Sequence, residues 1–227
     1  DVFRHAVVIG VLVVCTVVSV PAAADFVDIT VGADTWIYEA DYAQGTNYGS
    51  DDHMTAGTTT TDNPCRSLVN FDTTNVSELD GATITSMELQ ITPSYWYPGN
   101  NNGEIGVYDV DGTWSEDSVT WNSRPAIGDQ VGTDTLLVTG DMPSLVTWDI
   151  PTSAWAESSN LDFYLALTRE FNVNGMFQGE TLETSGGSPA QLRVYYEGQG
   201  QVPEPGTLAL LGIGVVGLII AHRRKQD

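Results

Sequence analysis

The sequence predicts an all-β protein, a jelly-roll β-sandwich flanked by an N-terminal signal peptide and a C-terminal single transmembrane sorting helix. Three observations carry that prediction. Between Asp25 and about Gly198 apolar residues recur at every second position, which marks strands with one buried face. Clusters of Gly, Asn, Asp and Pro break the alternation about every ten residues, the rhythm of a sandwich or barrel. With 227 residues, 41% hydrophobic and 17% charged, the chain is long enough for one domain with a packed core.

Taken in order, residues 1–24 read as the signal peptide. Arg4 and His5 precede an uncharged apolar run from Ala6 to Val20, and Pro21-Ala22-Ala23-Ala24 places small residues before a cut after Ala24. The run is short for a bilayer span. The body, residues 25–198, then offers strands at Thr35 to Glu39, Ser67 to Phe71, Met87 to Ile91, Glu104 to Val110 and Leu136 to Thr139. Val146, Trp148 and Ile150 alternate with Thr147 and Asp149, as Leu192, Val194 and Tyr196 do with Arg193, Tyr195 and Glu197. Leu161 to Leu167 is more continuously apolar and reads as a strand buried on both faces. Pro151 to Glu157 is the one short helix expected, with Pro in its first turn and Trp155 inward. The count comes to roughly eight to ten strands, which suits two sheets.

Residues 199–206 form a linker that carries Pro203-Glu204-Pro205. Residues 207–227 form an apolar segment, Thr207 to Ala221, with a basic end at His222-Arg223-Arg224-Lys225. A helix breaker, a short apolar span and a basic stop leave the basic tail cytoplasmic and the body outside. An ordinary C-terminal anchor has the same parts and the same orientation.

Charge and cysteine content narrow the partners. The chain holds 30 acidic against 8 basic residues, a formal charge of −22, and nucleic acid is excluded as a partner. Between Asp25 and Val202 the only cations besides His53 are Arg66, Arg124, Arg169 and Arg193. Cys15 lies in the leader and Cys65 is alone in the body, so neither an intramolecular disulfide nor a thiolate zinc site can brace the mature domain.

Catalytic groups are sparse. His53 is the one histidine of the body and no Gly-x-Ser-x-Gly elbow is present, so a Ser-His-Asp triad has little to draw on. Acidic pairs such as Asp51-Asp52 and Asp109-x-Asp111 are better suited to a structural Ca²⁺, which takes carboxylate and carbonyl oxygens on turns. Neither stretch completes a calcium-loop motif. The run Ser94-Tyr95-Trp96-Tyr97-Pro98-Gly99-Asn100-Asn101-Asn102-Gly103 places three aromatics after an alternating strand. Adjacent strand residues face opposite sides, so at least one ring points outward, and exposed rings beside amides suit sugar. Tyr95, Trp96, Tyr97, Asn100 and Asn101 are therefore the glycan-binding candidates. Packing of Tyr95 and Tyr97 on the sandwich end, with Trp96 capping the loop, is the other arrangement the run allows. Trp36, Trp114, Trp121, Trp148 and Trp155 read as core or loop-anchoring residues.

Two resemblances bear on function. Pro203-Glu204-Pro205, the apolar segment and Arg223-Arg224-Lys225 together resemble the PEP-CTERM sorting signal of Gram-negative bacteria. That resemblance implies processing near the tripeptide by an exosortase, a membrane-embedded transpeptidase, and delivery to the cell surface. Ala33-Asp34-Thr35-Trp36-Ile37 with Asn47-Tyr48-Gly49, then Arg66 to Asp72, then Thr113-Trp114-Ser115-Glu116 with Val119-Thr120-Trp121-Asn122, and finally Gln191 to Tyr196 resemble the DNRLRE, or disaggregatase-related, domain. That resemblance implies a β-sandwich found on large secreted proteins, acting in some relatives as a carbohydrate-binding module. The expected function is an exported, non-catalytic cell-envelope or extracellular-matrix module that binds polysaccharide or mediates adhesion. A purely structural matrix protein and a polysaccharide-active enzyme are the two alternatives. Self-association would mark the first, and release of reducing ends the second.

Overall fold

The computed structural model describes residues 25–58, 63–98, 103–132, 135–155, 160–168 and 174–198. The expected signal peptide, linker and sorting segment lie outside these residues, as do Asn100 and Asn101. Among the described residues no helix is long and apolar enough to cross a membrane.

Among the described residues thirteen strands form two antiparallel sheets. They are β1 (Asp25–Thr30), β2 (Ala33–Tyr38), β3 (His53–Thr58), β4 (Cys65–Asp72), β5 (Thr83–Ile91), β6 (Pro93–Tyr97), β7 (Glu104–Asp111), β8 (Ala126–Gln130), β9 (Leu136–Leu137), β10 (Val146–Ile150), β11 (Asn160–Leu167), β12 (Gly175–Glu180) and β13 (Gln191–Glu197). The short sheet runs β1-β13-β5-β10, so the first and last strands pair. The long sheet runs β6-β12-β3-β4-β11-β7-β8, with β2 also on β4 and β9 on β7.

The alternating strands fold as their pattern requires. Met87, Leu89 and Ile91 of β5, Val146, Trp148 and Ile150 of β10, and Leu192 and Val194 of β13 all turn inward. They meet Val69 and Phe71 of β4, Val107 of β7 and Phe163 and Leu165 of β11 from the long sheet. Each such side chain contributes about 1.5–3 kcal/mol by leaving water. Trp148 adds a bond between the sheets, its Nε1 donating to the Ile105 carbonyl at 3.2 Å. Arg193 clamps the outer edge, with a bidentate pair to Asp28 of 2.7 and 2.8 Å.

A second apolar cluster lies on the far side of the long sheet. Leu68 of β4, Tyr164 of β11 and Ile37 of β2 pack there against Val119 and Trp121 from the segment between β7 and β8. The continuous apolar run of β11 thus reflects two covered faces, as expected. Cys65 is free and buried, and burial pushes its thiol up to about 12, so it stays protonated.

Three expectations need correction. The helix at Pro151 to Glu157 is a single 3-10 turn, Thr152–Ala154, entered through an extended Pro151. So short a segment cannot offset helix nucleation. Trp155 closes that turn and packs on the main core. The strand at Leu136 to Thr139 shrinks to two residues, because the Thr139 N–H turns back to the Leu137 carbonyl. The strand count is also higher than expected, since β1, β3, β6, β8 and β12 were not separately marked by alternation.

Gly57 in β3 shows why glycine is needed at one crossing. Its φ is +107° and an added Cβ would sit 2.1 Å from the Gly175 carbonyl oxygen of β12. Gly57→Ala is expected to cost about 2–4 kcal/mol in urea unfolding through strain and overpacking. Gly45, whose Cβ position is open, is expected to tolerate Ala within about 0.5 kcal/mol. Equal effects at the two positions would contradict this account.

Candidate functional site

β6 is the edge of the long sheet, and its pairing with β12 decides where the aromatic run points. Phe177 lies opposite Trp96, Gln178 opposite Tyr95 and Met176 opposite Tyr97. Phe177 is fully buried and Trp96 packs against the same core, its Nε1 enclosed with no hydrogen-bond partner. Trp96, one of the glycan-binding candidates, is thus turned inward. Tyr95 points the other way and is 45% exposed. Beside it Gln178 donates from Nε2 to the Thr55 hydroxyl of β3 at 3.3 Å, so an amide and a phenol share one outward row.

Two positions along β3 from Thr55, on the same face, stands His53, and there a second aromatic group begins. The Trp36 ring stacks on Tyr48 at 4.0 Å between centroids and 25° between planes, and on His53 at 5.9 Å. Tyr38 lies 6.1 Å from Trp36, and Tyr42 meets Tyr38 edge-on at 6.0 Å. Tyr42 is 85% exposed. The rings are carried by β2 and the 39–52 connection, which coils through bonds from Ala43 N to Ala40 O, Thr46 N to Ala43 O and Asp51 N to Tyr48 O. Ala40 and Ala43 are buried beneath it. Trp36 Nε1 donates to Asp51 at 3.0 Å. The hydrogen bond to Tyr42 and burial push the Tyr38 phenol up to about 12, so this ring stays neutral. Sequence reasoning gave Trp36 as a core or loop-anchoring residue, and it packs on the main core and anchors the connection through Asp51, but the group around it was missed. The only signal was the density of aromatics between Trp36 and Tyr48.

Next to Trp36 the chain gathers acids. Asp34, Glu116 and Glu183 bring carboxylate oxygens within 4.8 Å of one another. Asp34 is fully buried. Its Oδ2 accepts from Leu182 N at 3.1 Å, and its own N–H donates to Glu116 Oε1 at 3.4 Å. Burial, opposed by the Leu182 bond and reinforced by Glu183 and Glu116, lifts the Asp34 carboxyl to about 7. Burial also raises Glu116.

The acids chosen from sequence lie elsewhere. Asp109 accepts from the N–H of Val110, and Asp111 is exposed. Asp51 receives the Trp36 indole, and Asp52 is exposed beside His53 Nδ1 at 2.9 Å. Among the described residues none of these four joins a group of three close ligands.

The chain belongs to carbohydrate-binding module family 96, which it matches over residues 25–174. Residues 201–225, including Pro203, Glu204, Pro205, Arg223, Arg224 and Lys225, match the PEP-CTERM protein-sorting motif. No curated protein matches the chain. The protein is therefore a carbohydrate-binding module sorted to the cell surface. The fold runs on beyond the matched span, because β13 pairs with both β1 and β5.

The two indoles separate by their hydrogen bonds. Trp36→Phe deletes a donor and leaves Asp51 unpaired, an expected loss of about 1–2 kcal/mol in urea unfolding. Trp96→Phe removes a buried donor that has no acceptor, which offsets the lost ring area, and is expected to stay within about 1 kcal/mol of wild type. The reverse order would refute the assignment.

Proposed function

We propose that this protein is a non-catalytic module that holds a neutral polysaccharide at the cell surface, with Tyr95 as its stacking platform. The carrying observation is Tyr95 standing exposed beside Gln178 on an open sheet face. Sugar rings offer C–H faces to a phenol and hydroxyls to an amide. The Trp36–Tyr48–Tyr42 group extends the contact on the other side of His53.

Charge favours a neutral glycan. Between Asp25 and Val202 four arginines face 27 acids. Of the four, Arg66 and Arg124 lie over the Trp121 ring at 4.6 and 4.0 Å, and Arg193 is held by Asp28. An anionic polymer would meet repulsion from this excess of acids. The jelly-roll arrangement, the disaggregatase-related likeness, export through residues 1–24 and exosortase processing near Pro203–Pro205 after membrane insertion of 207–227 complete the proposal. Each is compatible with the family and sorting matches.

Affinity electrophoresis of the purified protein in gels loaded with neutral or acidic polysaccharides tests this. Retardation is expected with a neutral polymer. Tyr95→Ala should weaken it at least about tenfold, about 1.4 kcal/mol, without lowering the melting temperature. Binding that survives in both Tyr95→Ala and Tyr42→Ala, or no binding to any polymer by a folded protein, would overturn the proposal.

A further inference from the structure

We propose that Asp34, Glu116 and Glu183 form a calcium site that ties together β2, the segment between β7 and β8, and the turn after β12. Clustered acids alone would not say so. The second observation is Asp34 itself, a fully buried carboxylate whose Oδ1 has no hydrogen-bond partner while Oδ2 is satisfied by Leu182. A buried polar oxygen is normally paired. The groups drawn up to this one are two further carboxylates, with oxygens inside 4.8 Å. What the arrangement lacks is positive charge.

The donors are all hard oxygens, which select calcium or magnesium over thiophilic metals. Calcium binds oxygens at about 2.3–2.6 Å, so opposite ligands stand about 4.6–5.2 Å apart, a span that accommodates these three. Magnesium demands tighter octahedral geometry and sheds water reluctantly. Burial grades across the site from enclosed Asp34 through half-buried Glu116 to exposed Glu183. The ion therefore has an open side, where water completes its shell. A site of this kind on a surface-sorted protein needs only the affinity of extracellular modules, on the order of 0.1–1 mM. The site is separate from the Tyr95 platform, and either can fail without the other.

The purified protein, stripped with EDTA and held at about pH 8 so that the carboxylates are ionised, is melted and titrated calorimetrically with CaCl₂ up to about 10 mM. Calcium is expected to bind one to one and to raise the melting temperature, by about 5–10 °C at a hundredfold excess over Kd. Glu183→Gln, an exposed change, should keep the EDTA melt within about 2 °C and weaken calcium binding at least about tenfold. Asp34→Asn should abolish the response, and Glu183→Gln decides the matter where that variant does not fold. Asp109→Asn combined with Asp111→Asn should respond as wild type. No calorimetric heat and an unmoved melt would overturn the proposal, as would a response undiminished in Glu183→Gln.

Discussion

The rest of the structure depends on one constraint: β4 and β11, at the middle of the long sheet, are apolar on both faces and must be covered twice. Phe71, Val69, Phe163 and Leu165 face the short sheet, while Leu68 and Tyr164 face the other way. The second cover is the segment between β7 and β8, which lays Val119 and Trp121 over them. It is held by polar bonds at its rim. Tyr164 Oη donates to the Pro125 carbonyl at 2.8 Å, and Arg124 donates to the Trp121 carbonyl. Arg66, 9% exposed, lies with its guanidinium over Trp121. A buried guanidinium is costly to desolvate, and the ring face beneath it offsets part of that cost.

The same cover builds the candidate sites. Asn47 Nδ2 donates to the carbonyls of Glu116 and Val119 at 2.6 and 2.8 Å, docking the 39–52 connection onto the cover. Gly49 fits there because a Cβ would stand 2.3 Å from the Glu116 carbonyl oxygen. Tyr48, between them, is thereby laid on Trp36. Trp114 Nε1 and Asn70 Nδ2 both donate to Asp162 Oδ1, at 2.8 and 2.9 Å, fixing the start of the cover. The stretches that carry the family resemblance, around Asp34, Asn47-Tyr48-Gly49 and Trp114 to Trp121, are thus distant in sequence and adjacent in space.

That geometry explains what sequence could and could not reveal. Met87, Leu89 and Ile91 were legible because one face of β5 meets the core and the other meets water. In β12 Phe177 is flanked by Gly175 and Gly179, and in β3 small Ala56 serves the core, so neither strand shows a strong period. The run at Tyr95 to Tyr97 fixed that rings would diverge but not which would be buried. The partner that takes Trp96 inward, Phe177, lies far along the chain. Asp34, Glu116 and Glu183 were invisible for the same reason, whereas Asp51-Asp52 and Asp109-x-Asp111 stood out only because they are local.

The two outward faces of the sandwich are unlike. On the short sheet Asp28, Arg193 and Glu88 lie in one cross-strand row, with Thr147 and Asp149 exposed on β10. Its exposed aromatic, Phe26, is 52% accessible yet already capped, because the Arg193 guanidinium sits 4.4 Å from its centroid. A sugar stacking there would have to displace a cation that Asp28 also holds. Tyr95 on β6 and Tyr42 in the 39–52 connection carry no such cap from the arginines described, since Arg66 and Arg124 are engaged at Trp121. The second cover thus draws these two arginines to Trp121, while on the short sheet Arg193 is shared between the Phe26 ring and Asp28.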